Sequence, residues 1–143
     1  MYYAVIDTNV LVSALISRKK NITAPVKIVE YIFDEVIIPV FNEEILDEYK
    51  DVLSRKKFNF EIADIEELIF QIKKSGVHEN ILKSEETFVD EDDRVFFEIT
   101  LSYLEVEKET YLVTGNLKHF PREPFILTPR QMVAIIEGGS SEH

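Results

Sequence analysis

Acidic side chains occur at three separate places in the sequence where they could share one chemical task. Asp7 directly follows an apolar run, and an acidic run at residues 90–93 opens a predicted helix farther along the chain. The first two turns of another predicted helix contain the acids Glu43, Glu44, Asp47 and Glu48. Carboxylates that converge without matching Lys or Arg are costly unless a cation neutralises them. Oxygen ligands of this kind favour Mg²⁺ or Mn²⁺, which activate water for displacement at phosphorus.

The elements that must position these acids alternate between strands and helices. Continuous apolar runs predict strands at residues 2–6, 36–41, 111–114 and 125–127, with one short strand within 77–89. Helical spacing of apolar residues predicts helices at residues 10–16, 25–33, 42–53, 62–74, 90–104 and from 129 to 138. This alternation predicts the α/β class, as a three-layer α/β/α sandwich with a central, mostly parallel sheet.

The predicted sheet brings the acidic segments to one edge. Ligands of open α/β sheets bind beyond the carboxyl ends of the strands. Asp7 ends the first predicted strand, and Thr114, Gly115 and Asn116 end the strand that begins at residue 111. The starts of the helices near residues 43 and 90 fall on the same side of such a sheet. We therefore expect the three acidic segments to meet there.

The overall charge limits how the protein can meet nucleic acid. The 143 residues include 16 Lys and Arg against 27 Asp and Glu, for a net charge of −11. This balance argues against coating nucleic acid by bulk electrostatics but leaves room for local basic groups. Two basic clusters, 18–20 and 55–57, could contact phosphate, but a solvated turn or a match to the helix dipole is the favoured interpretation of each. His119 could also touch a phosphate but is interpreted as an incidental loop residue, and Asp92 as a solvated first-turn acid.

Composition excludes several further classes. The chain has no cysteine, so disulfides, thiolate metal sites and cysteine nucleophiles are ruled out. The longest apolar runs are far shorter than the ~20 residues that cross a bilayer. No basic stretch precedes an apolar segment at the N-terminus, so we expect no signal peptide and a cytoplasmic location. We predict a single domain over residues 1–137, followed by a disordered tail at 138–143.

Four sequence motifs, taken together, resemble those of PIN domains. Residues 5–15 (VIDTNVLVSAL) resemble the family's first motif, and residues 42–49 (NEEILDEY), followed by Val52 and Leu53, resemble the second. Residues 90–94 (DEDDR) resemble the third, and residues 112–121 (LVTGNLKHFP) the fourth. The matches keep the family's order and span residues 3 to about 132.

The resemblance implies a metal-dependent endoribonuclease that hydrolyses RNA phosphodiester bonds, with strands in the order 3-2-1-4-5 and Mg²⁺ or Mn²⁺ held by the motif acids. The implied catalytic acids are Asp7, Glu48 and Asp93. The implied metal ligands are Asp7, Asp93, Asp90 and Asn116. Supporting polar groups would be Asn9, Thr114 and Glu44. Asn116 departs from the aspartate that the family often carries there, so it brings a carbonyl oxygen but no charge.

The resemblance extends to partners and leaves one alternative open. It is nearest to the toxins of toxin–antitoxin pairs, which implies a small antitoxin protein as partner and a homodimer. The alternative is a PIN-fold module that binds a metal or a protein but turns over little or nothing. A haloacid-type phosphatase is disfavoured because its second aspartate would stand at Asn9. No G-x-G-x-x-G or P-loop lysine follows any predicted strand, which disfavours nucleotide binding.

Overall fold

One parallel sheet organises the protein. The structure, a computed structural model, describes residues 1–81, 84–88 and 90–141, with the backbone alone for 139–141. The strands are β1 (Tyr2–Ile6), β2 (Ile37–Phe41), β3 (Val77–His78), β4 (Thr110–Val113) and β5 (Ile126–Leu127). They form a five-stranded sheet in the order β3-β2-β1-β4-β5, and every pairing is parallel. The predicted α/β class and strand order are confirmed.

Helices flank this sheet on the connections between strands. They are α1 (Thr8–Ser17), α2 (Ala24–Phe33), α3 (Glu43–Leu53), α4 (Ile62–Ser75), α5 (Arg94–Leu104) and α6 (Pro129–Ser141). Short 3₁₀ turns occupy Glu91–Asp93 and Leu117–His119. Within the described ranges, none of the helices has the length and apolar character of a membrane span.

The central strands are fully covered by the helices. Ala4, Val5 and Ile6 of β1 are completely buried, and every residue of β2 is buried. Burial on both faces is the reason these strands show continuous apolar runs rather than alternation. Helix α5 packs against β1, β2 and β4, so the segment that carries Asp93 is anchored to the centre of the sheet.

Strand register sets the carboxyl edge of the sheet. Ile6 pairs with Val113, and Val113 pairs with Leu127. Asp7 and Thr114 therefore follow directly at the same level. Helix α3 also begins at this edge. Asn42 directly follows β2, and its side chain accepts a hydrogen bond of 2.8 Å from the backbone amide of Ile45. An N-cap of this kind starts a helix at a fixed residue.

Most boundaries agree with the sequence prediction to within one or two residues, and three of the differences have a local reason. Strand β4 ends at Val113, one residue early, since the side chain of Thr114 turns to Asp7. The segment at 90–93 is a 3₁₀ turn before α5, because the Asp90 side chain accepts the amide of Asp92 at 3.0 Å. Helix α6 continues to Ser141 through the predicted disordered tail, since glycine lowers helix stability only by about 1 kcal/mol per residue. Residues 142 and 143 lie outside the described residues.

Gly76 provides a test of the β2–β3 edge. A Cβ atom there would come closer than 3.0 Å to the carbonyl oxygens of Ile72 and Pro39. Because backbone atoms cannot move aside cheaply, we expect Gly76→Ala to lower the free energy of unfolding by about 1–3 kcal/mol. Denaturant unfolding measures it. The control is Gly115→Ala, whose Cβ meets nothing within 4 Å, and an equal loss there would contradict the packing argument.

Candidate active site

Asp7 lies at the junction of β1 and α1 with its carboxylate held inside the protein. Only 4% of the residue is exposed. Its amide donates to the carbonyl of Val113 at 2.9 Å, and Oδ2 accepts a hydrogen bond from Oγ1 of Thr114 at 2.8 Å. Asp7 occupies the N-cap position of α1, but its side chain makes no capping bond there. The carboxylate is therefore directed to the sheet edge rather than used to start the helix.

Burial has the largest effect on the pKa of Asp7. It raises the pKa of the carboxyl, while the hydroxyl of Thr114 and the amides of Thr8 and Asn9 act in the opposite direction. An anionic Asp7 is thus held in place by donors but poorly solvated. Such a carboxylate gains strongly from a nearby cation.

Asp93 is a half-buried carboxylate on the 3₁₀ turn before α5. Burial, followed by the negative charges of Asp7 and Asp90, raises its pKa to about 6. Its Oδ2 lies 3.3 Å from Nδ1 of His119 but, among the described residues, accepts no hydrogen bond of acceptable geometry. Buried polar atoms almost always have a partner. The oxygen of Asp93 is therefore a candidate ligand atom.

Glu48 forms a neighbouring acidic group on α3. The side chain is half-buried, and burial raises its pKa, helped by the charges of Asp92, Asp51 and Asp7 and opposed by Arg55. A groove of about 300 Å³ is lined by Glu44, Asp47, Glu48, Asp51, Asp92 and Val95. Glu48 therefore lies on the far side of a groove from Asp92, within electrostatic reach of Asp7.

The polar residues around these acids differ in position. Thr114 is fully buried and accepts the amide of Asn116 at 2.9 Å while donating to Asp7. Asn116 is half-buried, whereas Asn9 and Glu44 are exposed. Asp90 is exposed and caps the 3₁₀ turn that carries Asp93. Asn116 is thus connected to Asp7 through a single hydroxyl.

Sequence reasoning did not find the neighbours of two residues. Asp92 is the exposed first-turn acid that the sequence predicted, and it also lines the groove with Glu48. His119, interpreted as incidental, is the basic side chain that faces Asp93. The fourth motif placed His119 near the strand end, but only the tertiary fold shows which acid it meets.

The donor atoms at this edge suit a hard divalent cation, although they do not form a complete set of ligands around one point. The carboxyl groups of Asp7 and Asp93, whose pKa values are raised, are suitable ligands for Mg²⁺ or Mn²⁺, and Oδ2 of Asp93 has an ion-pair contact with His119 but no well-aligned hydrogen bond among the described residues. Within the residues described, however, no group of three or more His, Asp or Glu side chains is close enough to hold a metal ion. The chemistry of the donors fits a cation, while a complete protein cage is not preformed. Mg²⁺ usually keeps several waters and needs only one or two carboxylates.

The raised pKa of Asp93 predicts how stability depends on pH. The folded protein binds this proton up to about pH 6, whereas the unfolded chain releases it near 3.8. The free energy of unfolding therefore falls as pH rises between these values. We expect Asp93→Asn to remove this loss and to stabilise the apo protein at pH 7 by about 1–2 kcal/mol. Urea unfolding at several pH values measures the effect.

The matched control removes a charge elsewhere. Glu85→Gln changes an exposed acid and should leave the free energy of unfolding within about 0.5 kcal/mol of the wild type. If Asp93→Asn destabilised the protein at pH 7, Asp93 would instead have stabilising partners as an anion, and the electrostatic interpretation would be wrong.

Comparison with known proteins identifies the family. No curated protein and no solved structure matches the chain significantly. The model of one protein family, described as PIN domain, matches residues 3–118, which include the segments carrying Asp7, Glu48, Asp93 and Thr114. PIN domains are generally nucleases, which supports a nuclease-type function here. Because the match covers most of the sequence, the chain belongs to the PIN domain family.

Proposed function

We propose that the protein is an endoribonuclease that depends on Mg²⁺ or Mn²⁺. One observation carries this proposal: the buried carboxylate of Asp7 and the half-buried carboxylate of Asp93 lie within electrostatic reach of each other at the carboxyl edge of the sheet, and among the described residues Oδ2 of Asp93 accepts no well-aligned hydrogen bond. Placing two like charges together with little solvent is unfavourable for a purely structural role. A site that acts on phosphodiesters with a cation gives this arrangement a use.

The residues would divide the work as follows. Asp7 and Asp93, with Asp90 and Asn116 beside them, would hold the cation. When bound, the cation would lower the pKa of a water molecule and neutralise charge at phosphorus. The Thr114 hydroxyl keeps Asp7 oriented, and the backbone N–H of Asn116 keeps that hydroxyl oriented in turn.

Glu48 has the properties of a proton acceptor for the attacking water. It is half-buried in the acidic groove, and its pKa is raised by burial and by Asp92. A raised carboxyl pKa brings its basicity closer to that required near neutral pH. Glu44, one turn earlier on α3, lines the same groove and is the second choice for this role.

The biological setting follows from the sequence resemblance. We propose that the protein acts in the cytoplasm as the toxin of a toxin–antitoxin pair, with RNA as substrate, a small antitoxin as inhibitor and a homodimer as the working form. The resemblance of the four motifs supports this setting.

A second candidate function is a binding module of the same fold with little or no turnover. Two observations favour it. Asn116 supplies no charge where the family often has aspartate, and the described residues hold no ready three-ligand group. This candidate predicts cation binding without RNA cleavage, so one experiment separates the two functions.

The decisive experiment combines calorimetry with cleavage. The wild type should bind Mn²⁺ and cleave mixed RNA in a reaction that EDTA stops. Asp7→Asn should lower cleavage by at least about 100-fold, because it removes a charge that the proposed reaction needs. Asp34→Asn, an exposed acid on another part of the surface, is the control and should retain full activity.

Each outcome decides between the candidates. Cation binding without cleavage would favour the binding module. Equal cleavage by Asp7→Asn and wild type would reject the assignment of the site. Absence of cation binding would mean that the acidic edge serves capping and solvation only.

Thr114 offers a test of orientation separate from charge. Thr114→Val keeps the shape but removes the hydroxyl that connects Asp7 with the amide of Asn116. We expect a 10- to 100-fold loss of cleavage, roughly that of a lost outer-shell partner, and a stability loss of about 1–3 kcal/mol. Single-turnover RNA cleavage and urea unfolding measure the two effects.

Thr100→Val is the matched control. Thr100 is also fully buried, but its hydroxyl donates to the carbonyl of Phe96 within α5. This variant should lose stability while keeping its cleavage rate. If both variants lost activity equally, Thr114 would act only through stability.

A further inference from the structure

Two basic segments that are far apart in sequence come together beside an aromatic pair. Arg18 and Lys19 follow α1, whereas Phe58, Asn59 and Phe60 lie between α3 and α4, and all five line one cavity of about 270 Å³. We define the basic–aromatic patch as Arg18, Lys19, Lys57, Phe58 and Phe60. We propose that this patch binds the single-stranded RNA substrate outside the active site, an inference that rests on the proposed function.

The aromatic pair has the form of a stacking platform. The rings of Phe58 and Phe60 are nearly parallel, with an interplanar angle of 7° and centroids 5.3 Å apart. Both residues pack against the hydrophobic core but are only half-buried, so part of each remains accessible to solvent. Asn59 between them adopts a left-handed conformation with φ 53°, which asparagine tolerates better than most residues. Aromatic rings exposed in this way stack nucleic-acid bases without sequence preference.

Basic side chains lie beside the pair, in a cavity whose lining also includes Glu61 and Asp64. Nζ of Lys57 lies 5.1 Å from the centroid of the Phe58 ring, where a base could replace it. Arg18 is fixed by a 3.1 Å ion pair with Asp64, but Lys19 is exposed and, within the described residues, makes no ion pair. The two loops together hold six of the 16 Lys and Arg of the chain, namely Arg18, Lys19, Lys20, Arg55, Lys56 and Lys57.

Helix α3 connects this patch with the proposed active site. Glu48 and Asp51 lie on α3, and Arg55, just beyond the end of that helix, pairs with Asp51 at 3.1 Å. Arg55 is also close enough to lower the pKa of Glu48. The segment of helix from Glu48 to the end of α3 spans roughly 8 Å, so the connection that carries Lys57 and Phe58 begins a short distance from the acidic groove. An RNA strand lying along α3 can contact both.

Because the protein carries a net negative charge, RNA binding needs a local basic surface such as this patch. A net charge of −11 repels RNA at long range, and the acidic groove repels it at short range. Binding must then come from local cations for the phosphates and from stacking for the bases. An acidic peptide would use the cations alone. The parallel aromatic pair therefore favours single-stranded RNA as the occupant.

Binding can be measured without cleavage. The probe is a short fluorescein-labelled oligouridine, followed by anisotropy with full-length protein in EDTA. Phe58→Leu/Phe60→Leu should weaken binding by about 10-fold or more, because a stacked base contributes about 1–3 kcal/mol. Lys19→Gln/Lys57→Gln should reduce the slope of log affinity against log salt by roughly 1.4, about 0.7 for each phosphate contact.

The control variant removes a positive charge from another surface. Lys108→Gln alters an exposed side chain on the connection between α5 and β4 and should keep the affinity within about twofold, since screened charges away from the strand contribute little. Thermal unfolding confirms that each variant is folded. The lysine variants change only exposed side chains and keep the proposal testable if the phenylalanine variant does not fold.

The outcomes separate this proposal from the nuclease itself. Equal losses in the Lys108 control, unchanged binding in both patch variants, or equally good competition by oligoglutamate of matched charge would each overturn the patch. The last result would indicate an acidic protein as occupant. Patch-dependent binding by a wild type that cleaves no RNA with Mn²⁺ would support the patch and reject the nuclease. If the wild type cleaved RNA and the patch variants bound it as well as the wild type, the nuclease would be supported and the patch rejected.

Discussion

The hydrogen bond from Thr114 to Asp7 is the interaction on which the proposed site depends. It joins two residues 107 positions apart and connects the ends of the two central strands, β1 and β4. Parallel register brings the residues to one level, and the amide of Asn116 fixes the hydroxyl from the other side. The orientation of the buried carboxylate is therefore set by the rigid centre of the sheet. A site built on strand ends is held more tightly than one built on loops.

The clustered carboxyl groups at the carboxyl edge of the sheet raise the electrostatic free energy of the folded protein. Asp7, Glu48 and Asp93 all have raised pKa values, with burial as the main cause in each case. The surrounding core makes that tolerable, because β1, β2 and α5 are buried throughout their contact. Stability lost at the edge is thus compensated by apolar packing beneath it. Such a balance is typical of sites that need a poorly solvated charge.

Much of the fold could be predicted from the sequence, because burial on two faces and helical periodicity leave clear patterns. The runs at β1 and β2 and the cap at Asn42 define their elements almost to the residue. The contacts within the candidate site could be predicted less completely. Strand order placed Asp7 and Thr114 together, but no local pattern shows that Asp93 meets His119 or that Asp92 lines the groove of Glu48. Those contacts depend on how the 3₁₀ turn before α5 sits on the sheet edge.

The same limit explains why the basic clusters looked unremarkable in the sequence. Each cluster alone is a solvated turn, and only the packing of α1 near the α3–α4 connection places them around Phe58 and Phe60. Basic side chains thereby gather beyond the end of α3, with Glu61 and Asp64 beside them, while the carboxylates of the proposed site lie at the strand ends. A polyanion is attracted where Lys and aromatic side chains meet and repelled by the acidic groove, so a strand held at the patch enters the groove only when a cation neutralises the acids.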